Sequence, residues 1–175
     1  MGASSGSGYI YPTKYIYDHG YTKGFVTKDA YSSLSEADKA KAMEGCLNFN
    51  RLATQQRPFF AVPWGNIGFV LLQQGDSDKA IAALQKAIKY DPNFVQAMAT
   101  LGSAHFSRGE LDDALPLLKK AVELQPMFGP AWNNLALVHA ERGEWAEADA
   151  CVKKALETGY EVPQAFSDEI AENLK

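Results

Sequence analysis

Three histidines, two cysteines and a scatter of carboxylates are the residues of this chain equipped for chemistry. An imidazole can carry protons or hold a metal, but either task needs a partner that orients the ring. His105 and His139 stand 34 residues apart, with no cysteine or acidic residue spaced to share a helical turn with them. Packed helices lie about 8–10 Å apart, too far for both rings to share one metal. Both rings are therefore expected to be packed, half-exposed polar tips. Cys46 has no nearby histidine and sits in an apolar helical pattern, so it reads as a buried thiol. Cys46 and Cys151 form neither a CxxC pair nor a metal-ligand spacing, and two reduced thiols are expected. Asp112, Asp113, Glu144 and Glu147 fall where helices begin, and negative charge suits the positive end of a helix dipole there. Gly2, Gly6 and Gly8 precede no strand–helix junction, so no phosphate loop is read. The expectation is no catalytic residue, no metal site and no cofactor.

The elements that hold these residues show themselves by repetition. Pro58, Pro92 and Pro126 are each 34 residues apart, and each opens a Pro-X-Phe triplet. Gly75, Gly109 and Gly143 recur with the same step, as do Ala80, Ala114 and Ala148, and again Ala87, Ala121 and Ala155. Trp64, Ile67, Gly68 and Leu71 fall at i, i+3, i+4 and i+7, which is one stripe of a helix. Gly75 then stops that helix in a left-handed cap, and Asp76 or Ser77 starts the next. Ala80, Leu84 and Ala87 continue the stripe. Small residues at Gly68 and Ala80 let the two helices approach closely. One such pair cannot bury its stripe alone, so neighbours must stack.

A 34-residue period with this pattern resembles the tetratricopeptide repeat, a helix–turn–helix unit. The first repeat reads Trp64, Ile67, Gly68, Leu71, Ala80, Leu84, Ala87, Pro92. The second reads Met98, Leu101, Gly102, His105, Ala114, Leu118, Ala121, Pro126. The third reads Trp132, Leu135, Ala136, His139, Ala148, Val152, Ala155, and departs where Tyr160 replaces the proline. His105 and His139 stand where the family usually has a tyrosine. The resemblance implies an all-α fold, a right-handed superhelical stack of helix–turn–helix repeats. Repeats are expected over 61–94, 95–128 and 129–162. A degenerate leading half-repeat is expected over 35–60, and Pro116 should bend its helix slightly. Residues 163–175 should form a capping helix that turns Phe166, Ile170 and Leu174 to one side.

With the Trp64 stripe facing the core, the flank about 100–140° away carries Val62, Gly65, Phe69 and Leu72, with Gln73 beside them. The same positions next hold Gln96, Ala99, Ser103 and Phe106, then Pro130, Asn133, Leu137 and Ala140. In proteins that this chain resembles, this flank lines the concave surface. None of the twelve repeated positions is charged. An uncharged face with Phe69, Leu72, Phe106 and Leu137 suits an apolar or aromatic protein segment. Relatives that clamp an acidic peptide tail use Lys and Asn where this chain has Gly65 and Phe69, so that clamp is not expected.

Residues 1–8 read as a flexible start, and residues 9–34 as an extended, tyrosine-rich arm. Six of the eight tyrosines lie in residues 9–31, among them Tyr9, Tyr11, Tyr15, Tyr17 and Tyr21. A loose tail is poor in aromatics, so the arm is read as a docking element, for the chain's own surface or for a partner. Residues 61–175 carry ten Lys and Arg against sixteen Asp and Glu. That acidic body lacks the clustered positive charge that nucleic acid requires. No apolar run approaches a membrane span, and no secretory signal is read, so a cytoplasmic location is expected. Together these readings point to a non-enzymatic protein–protein interaction adapter, an assembly factor or accessory protein of a larger complex. A permanent structural subunit anchored by its arm is the alternative, and an enzyme a distant one.

Overall fold

A computed structural model describes residues 33–175, and among them every regular element is a helix. The helices are α1 Glu36–Gln56, α2 Ala61–Gln73, α3 Ser77–Tyr90, α4 Val95–Ser107, α5 Leu111–Leu124, α6 Gly129–Glu141, α7 Trp145–Glu157 and α8 Gln164–Asn173. They fall into two compact units, one ending at Asp91 and one spanning Pro92–Lys175. The segment 1–32, with the arm tyrosines Tyr9, Tyr11, Tyr15, Tyr17 and Tyr21, lies outside the described residues.

In the first unit, α1 begins at Ser35, whose hydroxyl accepts from the Asp38 amide at 3.1 Å. That bond satisfies one of the free amides at a helix start. Gly75 ends α2 at φ 82°, and the equivalent Gly109, Gly143 and Gly159 share this left-handed backbone. A Cβ at any of the four would meet nothing within 4 Å. Conformation, not space, selects glycine there. Gly68 is different. A Cβ on it would lie 2.4 Å from Leu84 Cγ and 3.1 Å from the Ala80 carbonyl oxygen. Its missing side chain is what seats Leu84 of α3 against α2, and Leu84 is fully buried. Burying a leucine this way contributes about 1.5–3 kcal/mol. The α1 and α2 helices are joined by a polar link, Asn66 Nδ2 donating to Asn50 Oδ1 at 3.1 Å.

The second unit repeats the arrangement. A Cβ on Gly102 would sit 2.6 Å from Leu118 Cγ, so α4 and α5 close by the same device. Ala114, Leu118 and Ala121 are wholly buried on α5, and Ala148 and Ala155 match them on α7. Pro116 lies exposed within α5, which runs unbroken from Leu111 to Leu124. Where Tyr160 replaces the proline, a Cβ on Gly129 would meet Tyr160 Cβ at 2.5 Å, so Tyr160 packs on the first residue of α6. The closing helix α8 packs on α7 through Ile170, which is buried, with Phe166 half-buried. Leu174 differs from expectation. It is the residue after the helix end and is exposed.

Candidate functional site

Both second-unit histidines sit in the last turn of a first helix, and each meets a carboxylate from the turn that follows. His105 Nδ1 lies 2.7 Å from Glu110 Oε2, and His139 Nδ1 lies 2.5 Å from Glu144 Oε2. A carboxylate only accepts, so Nδ1 carries the proton in both. Each glutamate's other oxygen takes an arginine Nε, Arg108 at 2.8 Å and Arg142 at 2.9 Å. This corrects the expectation that no acidic residue orients the rings. A search within one helical turn missed the partner, because the glycine cap reverses the chain and brings the residue five positions on back to the ring. The ring of His139 is also buried, not half-exposed.

The His105 hydrogen bond, ahead of charge from Arg108, holds Glu110 below its ordinary carboxylate value, and Arg142 and then His139 do the same for Glu144. Glu110 and Glu144 are therefore anionic at neutral pH, and each carboxylate oxygen accepts a hydrogen bond from the clasp. His105, Glu110 and Asp113 bring ligand atoms within 4.8 Å of one another. Two of those three groups are already hydrogen-bonded to each other, and the arrangement explains itself as a clasp at the helix–helix turn. Burial pushes the Cys46 and Cys151 thiols up to about 11, away from nucleophilic reactivity.

The uncharged flank is arranged as follows. On α2, Val62, Phe69 and Leu72 are half-buried, Gly65 is buried and Gln73 is exposed. On α4, Gln96, Ser103 and Phe106 are half-buried and Ala99 is buried. On α6, Pro130 and Leu137 are half-buried while Asn133 and Ala140 are buried. The α4 and α6 rows lie side by side, because these helices pack together and Asn134 Nδ2 reaches the Ala99 carbonyl oxygen at 3.4 Å. The α2 row belongs to the first unit. Sequence reasoning did not find the Asn50–Asn66 link or the Asn134 contact. An asparagine next to an apolar stripe residue, at Asn66 and again at Asn134, was the available signal.

A family model described as tetratricopeptide repeat matches residues 67–127 and 100–160, together more than half of the chain. The chain belongs to the tetratricopeptide repeat family. Solved tetratricopeptide-repeat structures agree in fold. A crystal structure of MamA is 26% identical, covers 75% of this chain and 73% of its own, and superposes with a TM-score of 0.58. The NMR structure of the first TPR domain of human RPAP3 is 22% identical, covers 67% of this chain and 94% of its own, and gives 0.62. No curated protein matches the chain. As a tetratricopeptide repeat protein it is an interaction scaffold, and its His–Glu–Arg clasps replace the usual tyrosine at the end of the first helix. No helix among the described residues is long and apolar enough to cross a membrane.

Proposed function

We propose that this chain is a non-enzymatic adapter that binds a protein segment on the uncharged flank of its first helices, as an assembly factor or accessory protein of a larger complex. One observation carries the reading. The α4 and α6 rows, from Gln96 to Phe106 and from Pro130 to Ala140, form adjacent strips with no charge at any of their eight positions. On a chain with 22% charged residues, eight solvated positions would carry about two. Phe106 and Leu137 supply apolar area that remains partly accessible. Val62, Phe69, Leu72 and Gln73 on α2 carry the same reading within the first unit. The tyrosines of residues 9–31 serve as the adapter's anchor.

The test is differential capture from native extract, with mass-spectrometric identification. Phe106→Glu with Leu137→Glu should remove the proteins retained by the unaltered chain while the helical circular dichroism is kept. Retention of those proteins by the folded double variant overturns the assignment of the flank. Truncation of residues 1–31 should leave the helices intact and weaken the same capture. Unchanged capture removes the anchoring role of the arm.

A further inference from the structure

A shift of 34 residues lays α1 on the second helices of the later repeats, with Cys46, Asn50 and Ala53 on Ala80, Leu84 and Ala87. Two positions break the pattern. Leu52 stands where α3, α5 and α7 carry the exposed lysines Lys86, Lys120 and Lys154. Gly45 stands where they carry Lys79, Asp113 and Glu147. Leu52 is 57% exposed and Phe49, one turn before it, 47%. Phe60, just past the end of α1, is 50% exposed, although its equivalent Phe128 is buried. Asn50 faces α2 through its bond to Asn66, and at about 100° per residue Phe49 and Leu52 turn away from that side. The helices α3, α5 and α7 each pack on the first helix directly ahead, α2, α4 and α6. No such helix precedes α1 among the described residues. Apolar side chains where the later repeats place lysine suit a face that is covered.

The cover is named by reach and by area. Phe49 lies about 21 Å along α1 from Ser35 at 1.5 Å per residue. An extended chain crosses that distance in about six or seven residues. The segment that enters α1 therefore brings Phe25 and Val26 level with Phe49 and Leu52 if it runs back along the helix, and Tyr21 level with the end of α1. Gly20 and Gly24 disfavour a helix there, and Val26 and Thr27 favour extended backbone. A second copy fits less well. The exposed parts of Phe49, Leu52 and Phe60 offer about 300 Å² at most, well under the roughly 800 Å² per partner of a stable interface. A tethered segment needs less, because its effective concentration is already in the millimolar range.

We infer that residues 20–32 of the same chain lie extended along α1, seating Phe25 and Val26 on Phe49 and Leu52 in place of the missing first helix of the leading repeat. Tyr9, Tyr11, Tyr15 and Tyr17 fall beyond the reach of α1 and stay available to a partner.

The test uses the full chain alone, with hydrogen exchange read by mass spectrometry. Amides of residues 20–32 should exchange at least about tenfold more slowly than in a synthetic peptide of the same sequence. Leu52→Lys, which restores the residue of the other second helices, should abolish that slowing while α3 and α5 keep their protection. Leu52→Met should retain it, and circular dichroism confirms the helical fold of both variants. Mild oxidation of Leu52→Cys combined with Phe25→Cys or Val26→Cys should join the two positions within one chain. Exchange as fast as in the free peptide overturns the inference. Slowing that survives Leu52→Lys puts the segment on another surface and overturns it too. Cross-links that join two chains make a second copy's arm the occupant and overturn the assignment to the same chain.

Discussion

Arg142 Nη1 donates to Asp112 Oδ1 at 2.6 Å, closing a gap of 30 residues between the start of α5 and the end of α6. The same guanidinium holds Glu144, which in turn holds the buried ring of His139. A surface ion pair is thus wired to a group in the interior, and the two ends should answer differently to perturbation. Arg142→Ala should lower the melting temperature only slightly, and the difference should vanish in molar salt, since exposed pairs are screened. His139→Ala should cost about 1–3 kcal/mol whatever the salt, because it removes a packed ring and its hydrogen bond. Urea unfolding at low and high salt checks both. Salt-sensitive loss for His139→Ala would show that the ring contributes through charge instead.

The Glu144 carboxylate is held below its ordinary value of 4.5 by Arg142 first and His139 second. A depressed folded-state value means that the folded chain binds this proton less readily than the unfolded chain. Its stabilisation is fully present above the unfolded value and is lost as pH falls through the folded one. Glu144→Gln should therefore be less stable than the unaltered chain at pH 7, and the gap should narrow as pH falls below about 4.5. Melting temperatures at pH 7, 5 and 3.5 measure it. A gap that widens in acid reverses the sign and rejects the linkage.

Packing at the small residues sets the third expectation. Ala121 is wholly buried on α5, so Ala121→Leu should overpack the core there and cost about 1–3 kcal/mol. Gly102→Ala should also destabilise, since the new methyl would lie 2.6 Å from Leu118 Cγ. An unchanged denaturation midpoint for either variant would mean that α4 and α5 do not meet there.

The two thiols should be quiet. Burial raises Cys46 and Cys151 from 9.0 to about 11, which cuts the reactive thiolate about a hundredfold. Labelling by a thiol reagent at pH 8 should be slow in the folded chain and rapid in denaturant. Fast native labelling of either cysteine would place it at the surface.

How much of this was legible beforehand varies by the range of the forces involved. The helix ends were readable, since Gly75, Gly109 and Gly143 act through their own backbone and Ser35 and Asp76 cap helices three residues away. The register of the repeats was readable too, because a 34-residue period repeats the same local code. The polar wiring was not. His139 meets Glu144 only after a left-handed turn folds the chain back, and Arg142 meets Asp112 only after two helices pack. Asn133 looked like one more uncharged flank residue, and only packing could bury its carbonyl oxygen without a donor. Sequence by itself determined where the repeat helices run and which stripe they bury, because these depend on spacing along one chain; at the chain's last turn it did not, since Leu174 falls past the helix end and is exposed. Tertiary structure alone decided which polar groups find partners. Hydrogen bonds act over about 3 Å, and at that range the outcome rests on how turns and packed helices place the groups, as Arg142 on Asp112 and His139 on Glu144 show.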